Sequence, residues 1–221
     1  MRARIDARSL FLAVLAGITL YVLLDIVAQL LPPHYSPIRD AESDLAVGPY
    51  GYVMALNFVN RGVLSIVFVY ALLKVAKAQD GAGAPKPAAS MKLGAALLMV
   101  WAVGSIVLAA FPTDVPATPV SWHGAIHGIV AILVFFGGAF GTVALSLRFE
   151  KFPELKGVKR VSLAISILAV VFLLITLGSI TSSIVGLTER IFLGSVLLWI
   201  AVVSAHLMAK GSAESPSNHP L

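Results

Sequence analysis

The amino-acid sequence predicts an all-α, polytopic membrane protein with six transmembrane helices, and both composition and patterning lead to this prediction. Of the 221 residues, 58% are hydrophobic and 12% are charged, whereas soluble domains are roughly 45–50% apolar and about 25% charged. The mean hydropathy is +0.93. The chain also contains six long apolar runs, and a helix needs about 20 such residues to cross a bilayer. We therefore expect a single bundle whose solvent is lipid.

The six apolar runs cover residues 10–31, 51–73, 93–111, 122–147, 161–183 and 188–209. They are rich in Leu and Ala and lack the period-2 alternation of membrane strands, so each is predicted to be a helix. Proline and glycine, which break helices, lie between the runs, as at Pro32-Pro33, Gly48-Pro49 and Pro153. We expect an N-terminal segment at 1–9, a membrane domain at 10–210 and a polar, disordered tail at 211–221.

The first run could be mistaken for a cleaved signal peptide, because an arginine-rich start precedes it. The run is long, however, Asp25 interrupts its end, and no small-x-small cleavage site follows. We therefore expect residues 10–31 to remain as the first membrane helix.

Basic residues are distributed unequally between the two ends of the predicted bundle. Of the 16 Lys and Arg residues, all but Arg39, Arg61 and Arg190 fall at the end that carries both termini. Cytoplasmic loops are enriched in Lys and Arg, so we expect both termini in the cytoplasm and the protein in the plasma membrane. The formal net charge of +5 is then explained by topology and contact with anionic lipids, and not by nucleic-acid binding.

Ionisable and amide side chains collect in the outer half of the predicted bundle, whereas the inner halves are nearly all apolar. At 1.5 Å per residue, Asp25 lies roughly 9 Å below the outer end of the first helix, and residues 57–61 lie about 9–15 Å into the second. The other members follow from the helix ends and the first outer loop: Asp44, Asp114, His123, His127, Glu189 and Arg190. A charge in lipid is costly, so these groups are expected to face the bundle interior and meet in one polar cavity.

Arg61 approaches the predicted midplane and needs an anion or water. Asp25 is the best-placed partner by depth, and Asp44, Asp114 and Glu189 are alternatives. Two interpretations stay open: a buried ion pair that fixes helix packing, or a cation that holds a carboxylate or phosphate of a ligand.

The amides Asn57 and Asn60 are three residues apart on the second helix. This spacing favours hydrogen bonds to a neighbouring helix, although both residues are also candidate ligand contacts.

The fourth helix begins with two histidines, His123 and His127, which share one face because they are four residues apart. This spacing suits two ligands of a divalent metal such as zinc, with Asp114, Asp25 or Asp44 as a third ligand. The chain has no cysteine, which excludes cysteine-ligated metals and thiolate catalysis. Acid–base or hydrogen-bonding work in a wet site is a second interpretation.

Structural explanations compete with both assignments. Gly124 and Gly128 follow the two histidines and form a small-residue face that favours close helix packing. Glu189 follows Thr188, a good N-cap residue, so helix capping would also account for a glutamate there.

The order of several motifs resembles a known family. SDLAVGPYG precedes the second helix, FN..NRG lies within it, AAFPTD follows the third, WHGAIHG opens the fourth and LTERIF leads into the sixth. Over about residues 10–208 this pattern is similar to the bacterial and archaeal six-helix membrane family named domain of unknown function nine-nine-eight. The resemblance implies a six-helix fold but no activity, and its signature positions are Ser43, Asp114, His123, His127, Glu189 and Arg190.

Three functions are compatible with these residues, and whether the protein is an enzyme stays open. The first is a cavity that binds a small amphiphile or a lipid headgroup. Its ligand contacts would be Asp25, Asp44, Asn57, Asn60, Arg61, Glu189 and Arg190.

The second function is a membrane-embedded hydrolase or transferase in which Asp114, His123 and His127 act with or without a metal ion. It is distantly similar to membrane hydrolases of the ceramidase and progestin-receptor-like group, which hold zinc with histidines, an aspartate and a serine. The third is an ion-coupled transporter, which the apolar inner halves disfavour. Membrane lipids are the expected partners, and the oligomeric state stays open.

Overall fold

The computed structural model describes residues 6–78, 91–114 and 118–213, and every regular element within these ranges is helical. The helices are α1 (Ala7–Leu30), α2 (Gly51–Ala78), α3 (Lys92–Ala110), α4 (Trp122–Ser146), the single turn α5 (Pro153–Lys156), α6 (Lys159–Gly178) and α7 (Val185–Ala213). Two 3-10 segments, Glu42–Ala46 and Phe149–Lys151, lie between them. The disordered tail was predicted at residues 211–221. Residues 214–221 lie outside the described residues, and α7 extends to Ala213, so it includes the beginning of the predicted tail.

Six of these helices, α1 to α4, α6 and α7, are long and apolar enough to cross a membrane. This finding confirms the predicted fold class, an all-α bundle of six spans, and indicates a multi-pass membrane protein. The sequence placed most helix ends within a few residues of their observed positions.

The second helix was expected to end at residue 73 but continues to Ala78, and the fifth span was expected to end at residue 183 but ends at Gly178. Serine hydroxyls replace helical hydrogen bonds there. Ser179 Oγ donates to the Thr176 carbonyl at 3.2 Å, and the Ile184 amide donates to Ser182 Oγ at 3.3 Å. Serine favours turns for this reason, and α7 consequently begins at Val185, before Thr188.

The six long helices form a closed ring. Each packs against its neighbours in chain order, and α7 returns to pack against α1. Glycine allows the closest approaches, because a Cβ at Gly62 of α2 would lie 2.6 Å from the Ala102 carbonyl oxygen of α3. The outward faces are apolar: Leu23, Val103 and Leu174 are each about half exposed or more. Such a surface suits lipid and not water.

The ring has two chemically different ends. We call the end that contains the last residues of α1, α3 and α6 and the first residues of α2, α4 and α7 the polar end. The other end carries most of the basic side chains and is called the basic end. At the basic end His206 Nε2 lies 2.9 Å from the Glu154 carbonyl oxygen, and Lys210 Nζ lies 3.2 Å from the Pro153 carbonyl oxygen.

Candidate functional site

A cavity of about 590 Å³ opens at the polar end, between the segment 39–44 and helices α2, α3, α4, α6 and α7. Small-molecule pockets have volumes of about 300–1,000 Å³. The ionisable residues in its wall are Arg39, Asp40, Glu42, Asp44, Arg61, His127 and Glu189. Most of the remaining wall is apolar, with Phe58, Phe135 and Leu193 among its members. The cavity therefore joins a small ionisable region to a larger apolar one.

Arg61 is the buried cation of this cavity, with only 1% of its surface exposed. Its Nε donates to Ser105 Oγ at 3.0 Å, and the Ser105 hydroxyl donates in turn to the Trp101 carbonyl at 2.7 Å. The guanidinium carbon lies 5.0 Å from the Phe58 ring centroid and 4.7 Å from that of Trp101. Two aromatic faces and one hydroxyl therefore fix the guanidinium at the wall of the cavity.

The predicted ion pair between Arg61 and Asp25 is wrong. Asp25 Oδ1 lies 3.5 Å from Arg190 NH2 instead, and Gln29 Nε2 donates to Asp25 Oδ2 at 2.5 Å. Among the described residues, no carboxylate forms an ion pair with Arg61 within 4.0 Å. Depth alone suggested Asp25 as the partner, but the packing of α1 against α7 brings Asp25 to Arg190.

Glu42 and Glu189 form the acidic side of the cavity, and both side chains are buried. The backbone amide of Glu42 donates to Glu189 Oε2 at 2.9 Å, and the Tyr21 hydroxyl donates to Glu42 Oε1. Burial raises the pKa of the Glu42 carboxyl, and the negative charge of Asp25 raises it further, while Arg61 opposes the shift. Burial therefore disfavours the charged form of Glu42.

Glu189 does not cap the helix that carries it. Because α7 begins at Val185, Glu189 lies about one turn inside the helix, and the Thr188 hydroxyl donates to the Val185 carbonyl at 3.0 Å. The capping interpretation of Thr188 and Glu189 is therefore wrong, and the carboxylate instead binds the segment 42–46.

Arg190 binds the loop between α1 and α2 at the polar end. Its NH1 donates to the Pro37 carbonyl at 3.3 Å, and its guanidinium carbon lies 5.1 Å from the Tyr35 ring centroid. The Tyr35 hydroxyl donates to the carbonyls of Asp40 and Ala41 at 2.8 Å each. Burial raises the pKa of this hydroxyl, so it stays a donor. Arg190 and its partner Asp25 thus anchor the loop beside the cavity.

His127 is the histidine that lines the cavity, and it is 5% exposed. Its Nδ1 lies 2.7 Å from the Phe111 carbonyl oxygen. A carbonyl only accepts hydrogen bonds, so Nδ1 carries the proton and Nε2 is the ring nitrogen left for other chemistry. The loop at the end of α3 therefore fixes the histidine tautomer.

Asp114 and His123 have local roles at the start of α4 and are not among the described cavity residues. Asp114 accepts from the Ser121 amide at 3.0 Å and from the Ser121 hydroxyl at 2.5 Å, and Ser121 Oγ accepts from the Gly124 amide at 3.0 Å. These bonds from Ser121 lower the pKa of Asp114. The His123 ring lies against the Trp122 ring, with centroids 3.4 Å apart and ring planes tilted by 33°. Asp114 therefore supports the N-cap of α4.

A family model described as "Protein of unknown function (DUF998)" matches residues 15–206, which is most of the chain. The chain belongs to the DUF998 family. This match confirms the resemblance carried by the FPTD, HGAIHG and Glu-Arg motifs, and the six apolar helices agree with a membrane family. Comparisons with curated proteins and with solved structures give no match. The family description names no activity, so the function of this DUF998 protein is argued from its cavity.

The DUF998 motif residues that were predicted to act together lie at different places in the structure and make different contacts. Of the predicted catalytic set Asp114, His123 and His127, only His127 lines the cavity. No group of three or more His, Asp and Glu side chains in the described ranges is arranged to hold a metal ion. The predicted zinc ligands Asp114 and His127 are bonded to Ser121 and to the Phe111 carbonyl instead. These contacts do not support a metal centre.

The amides predicted as ligand contacts bind the neighbouring helix of the DUF998 bundle. Asn57 Nδ2 donates to the Tyr21 carbonyl at 3.1 Å, and Asn60 Nδ2 donates to the Gly17 carbonyl at 2.9 Å. Neither asparagine is among the described cavity residues. The helix-packing interpretation therefore accounts for both.

Several residues of the site were not among the predicted site residues. Ser105 and Tyr21 lie within apolar helices where nothing in the sequence marks them, and Trp101 resembles any core aromatic. Glu42 could have been found, because it lies in the same outer loop as Asp44.

Proposed function

We propose that this DUF998 protein is a membrane-embedded binding protein whose cavity holds the anionic head of a small amphiphile against Arg61. One observation carries the proposal: Arg61 is 1% exposed, lines the cavity and has no carboxylate partner within 4.0 Å among the described residues. An unpaired cation in lipid costs several kcal/mol. The contacts with Phe58 and Trp101 offset part of that cost, and a bound anion supplies the missing charge.

The acidic groups nearby are compatible with an anionic ligand. Burial raises the pKa of Glu42 and so disfavours its charged form, and its Oε1 is already bonded to Tyr21. One oxygen of Glu189 is bonded to the Glu42 amide. When it is protonated, the Glu42 carboxyl can donate a hydrogen bond to the same anionic head.

The apolar part of the wall favours an amphiphile over a small inorganic anion. Phe58, Leu108, Phe135, Leu177 and Leu193 surround the region next to Arg61 and His127. A phosphate ion alone would leave this surface in contact with water, whereas the hydrocarbon part of an amphiphile covers it.

A fluorescence experiment tests the proposal, because Trp101 lies 4.7 Å from the Arg61 guanidinium. The other two tryptophans, Trp122 and Trp199, are replaced by Phe so that Trp101 reports alone. A dibrominated stearate in phosphatidylcholine vesicles, whose bromines quench tryptophan, is the anionic probe, and the uncharged methyl ester is its control. We expect the acid to quench more strongly than the ester.

Arg61→Met is the decisive variant, since it keeps the length of the side chain and removes the charge. Loss of one charged contact weakens anion binding by about tenfold or more. The variant should unfold at the same temperature as the parent or higher, because methionine removes the desolvation cost of a buried charge that has no carboxylate partner among the described residues. Equal quenching by acid and ester in the parent, or unchanged quenching in Arg61→Met, would overturn the proposal.

The fixed tautomer of His127 favours a second candidate, a metal-free hydrolase or transferase acting on a lipid ester in the same cavity. Nε2 of His127 would act as the general base, and Glu189 lies in the same wall. The test is His127→Gln with a monoacylglycerol ester as substrate. Turnover by the parent that disappears in the variant, while stearate binding persists, supports an enzyme. Absence of turnover in the parent excludes this reaction.

A further inference from the structure

The cavity reaches the outer surface of the ring between α4 and α6. Ile132 of α4 and Ile180, which follows α6, line the cavity and are 53% and 63% exposed. Ile132 lies ten residues after Trp122, the first residue of α4, so it is about 15 Å along the helix. This part of the cavity wall therefore belongs to the apolar span and not to the polar loops. We call the gap beside Ile132 and Gly128 the lateral opening.

Residue contacts explain why the opening exists at this position. Besides His127, the α4 residues that line the cavity are Gly128, Ala131, Ile132 and Phe135, which share one helix face. A Cβ at Gly128 would meet nothing within 4 Å, so no neighbouring side chain fills the space there. Nearer the basic end the same two helices are joined, because Ser146 Oγ of α4 lies 3.2 Å from Ser166 Oγ of α6. The helices are thus tied at one end and separated at the other.

Charge distinguishes the lateral opening from the aqueous mouth. The aqueous mouth at the segment 39–44 carries Asp40 and Asp44 against Arg39, whereas Glu42 is buried. A rim with excess negative charge opposes the entry of dissolved anions. The α4 residues 128–135 and the α6 residues 165–178 contain no charged side chain, so an acyl chain can lie between them.

We infer that the ligand is a bilayer-resident lipid with a carboxylate or phosphate head, which enters through the lateral opening and leaves its acyl chain between α4 and α6. The inference rests on the proposed function, since Arg61 receives the head. It adds the source of the ligand and the position of its chain. A water-soluble anion that carries no chain would instead have to pass the acidic mouth.

Gly128→Leu tests the inference, because its side chain occupies the opening without a predicted clash. Gly194→Leu on α7 is the matched control. Gly194 is also exposed, a Cβ there also meets nothing within 4 Å, and the residue is not among the described cavity residues. The added leucine obstructs the acyl chain, so we expect about tenfold weaker quenching of Trp101 by dibromostearate in Gly128→Leu only.

The outcomes separate the two proposals. If Arg61→Met abolishes quenching but Gly128→Leu behaves like Gly194→Leu, the anion site stands and the lateral opening is wrong. If inorganic phosphate in the buffer displaces dibromostearate from the parent, the head site accepts a free anion through the mouth, and lateral entry is overturned. Quenching that resists phosphate and is reduced in Gly128→Leu supports the inference. If Arg61→Met has no effect, the proposed function itself fails.

Discussion

The backbone amide of Glu42 donates to Oε2 of Glu189 at 2.9 Å and joins the 3-10 segment to the start of α7. The adjacent residue Arg190 binds the same loop from another side, through the Pro37 carbonyl. Two successive residues of α7 therefore hold opposite kinds of backbone group, an amide and a carbonyl, in the loop that covers the cavity. This arrangement explains the Glu-Arg pair of the sequence without assigning either residue to catalysis.

Glu42→Gln should reduce the loss of thermal stability at rising pH. Burial raises the pKa of Glu42 above the ordinary value of 4.5, and the charged groups that influence it are Asp25, Arg61 and Arg190. The folded protein then binds the proton more tightly than the unfolded chain does, so stability is lost as pH rises through the folded pKa. Glutamine stays neutral and keeps an acceptor for Tyr21.

Thermal unfolding in detergent, followed from about pH 5 to about pH 8, measures this effect. The midpoint of Glu42→Gln should fall less across the range than that of the parent, and should be higher at the alkaline end. Glu150→Gln at the basic end, where the carboxylate is about half exposed and pairs with Lys159, is the control and should follow the parent. Identical slopes for the parent and Glu42→Gln would contradict a raised pKa of the buried Glu42 carboxyl.

Arg190→Ala should release the loop between α1 and α2. The change removes the donor to Pro37 and leaves Asp25 without its cation. The two side chains are 17% and 18% exposed, so we expect a loss of about 2–3 kcal/mol, below the range for fully buried pairs. Lysine keeps the charge but not the planar, multi-donor geometry of arginine, so Arg190→Lys should be intermediate.

Limited trypsin digestion measures loop release directly, because Arg39 is exposed within the same loop. Local opening that becomes about 1.4 kcal/mol easier raises the cleavage rate about tenfold. Cleavage after Arg39 should therefore be fastest in Arg190→Ala and slowest in the parent. If all three proteins are cut at the same rate, Arg190 does not anchor the loop.

Asn60→Leu should weaken helix packing and leave ligand binding unchanged. The amide donates to the Gly17 carbonyl across the α1–α2 contact. Hydrogen bonds of this kind contribute about 0.6–2 kcal/mol in membrane proteins. Unfolding in a denaturing detergent measures the loss, and quenching of Trp101 by dibromostearate measures binding. Val63→Ala, on an exposed part of α2, is the control. Weaker quenching in Asn60→Leu at unchanged stability would restore Asn60 to the ligand site.

The helices could be predicted from the sequence because lipid imposes a local requirement, a long apolar run with its backbone bonded internally. Position along the helix axis could also be predicted, which is why Arg61, His127 and Glu189 were correctly expected at one end. The side chains that meet across helix contacts around the ring could not be predicted from the sequence. Asp25 and Arg61 have similar depth, yet α1 packs against α7 and Asp25 meets Arg190.

The motif around the start of α4 shows a second limit. A carboxylate and two histidines near a helix start fit an acid–base centre, a metal site and a helix cap equally well. The distinction depends on how the loop between α3 and α4 folds back. Here the loop brings Asp114 onto Ser121 and the Phe111 carbonyl onto His127. One histidine is consequently directed to the cavity wall, and the aspartate supports the cap.

Alanine substitutions at two glycines of α4, four residues apart, should change the stability differently. Asp114 lies where the Cβ of only one of them would be. A Cβ at Gly124 would overlap the Asp114 carboxylate, whereas a Cβ at Gly128 would meet nothing within 4 Å. Gly128→Ala should raise stability by about 0.5–1 kcal/mol through helix propensity. Gly124→Ala should displace Asp114 from Ser121 and lose about 1 kcal/mol of capping, which cancels or exceeds the same gain.

A double-mutant cycle, measured by thermal unfolding, tests the contact between Asp114 and a Cβ at position 124. In an Asp114→Ala background the obstacle to a Cβ at position 124 is gone, so Gly124→Ala should become as stabilising as Gly128→Ala. Asp114→Ala alone should destabilise α4 and leave dibromostearate quenching of Trp101 intact, because Asp114 supports the cap and not the cavity. Equal effects of Gly124→Ala in both backgrounds would refute the contact, and loss of quenching in Asp114→Ala would return Asp114 to the binding site.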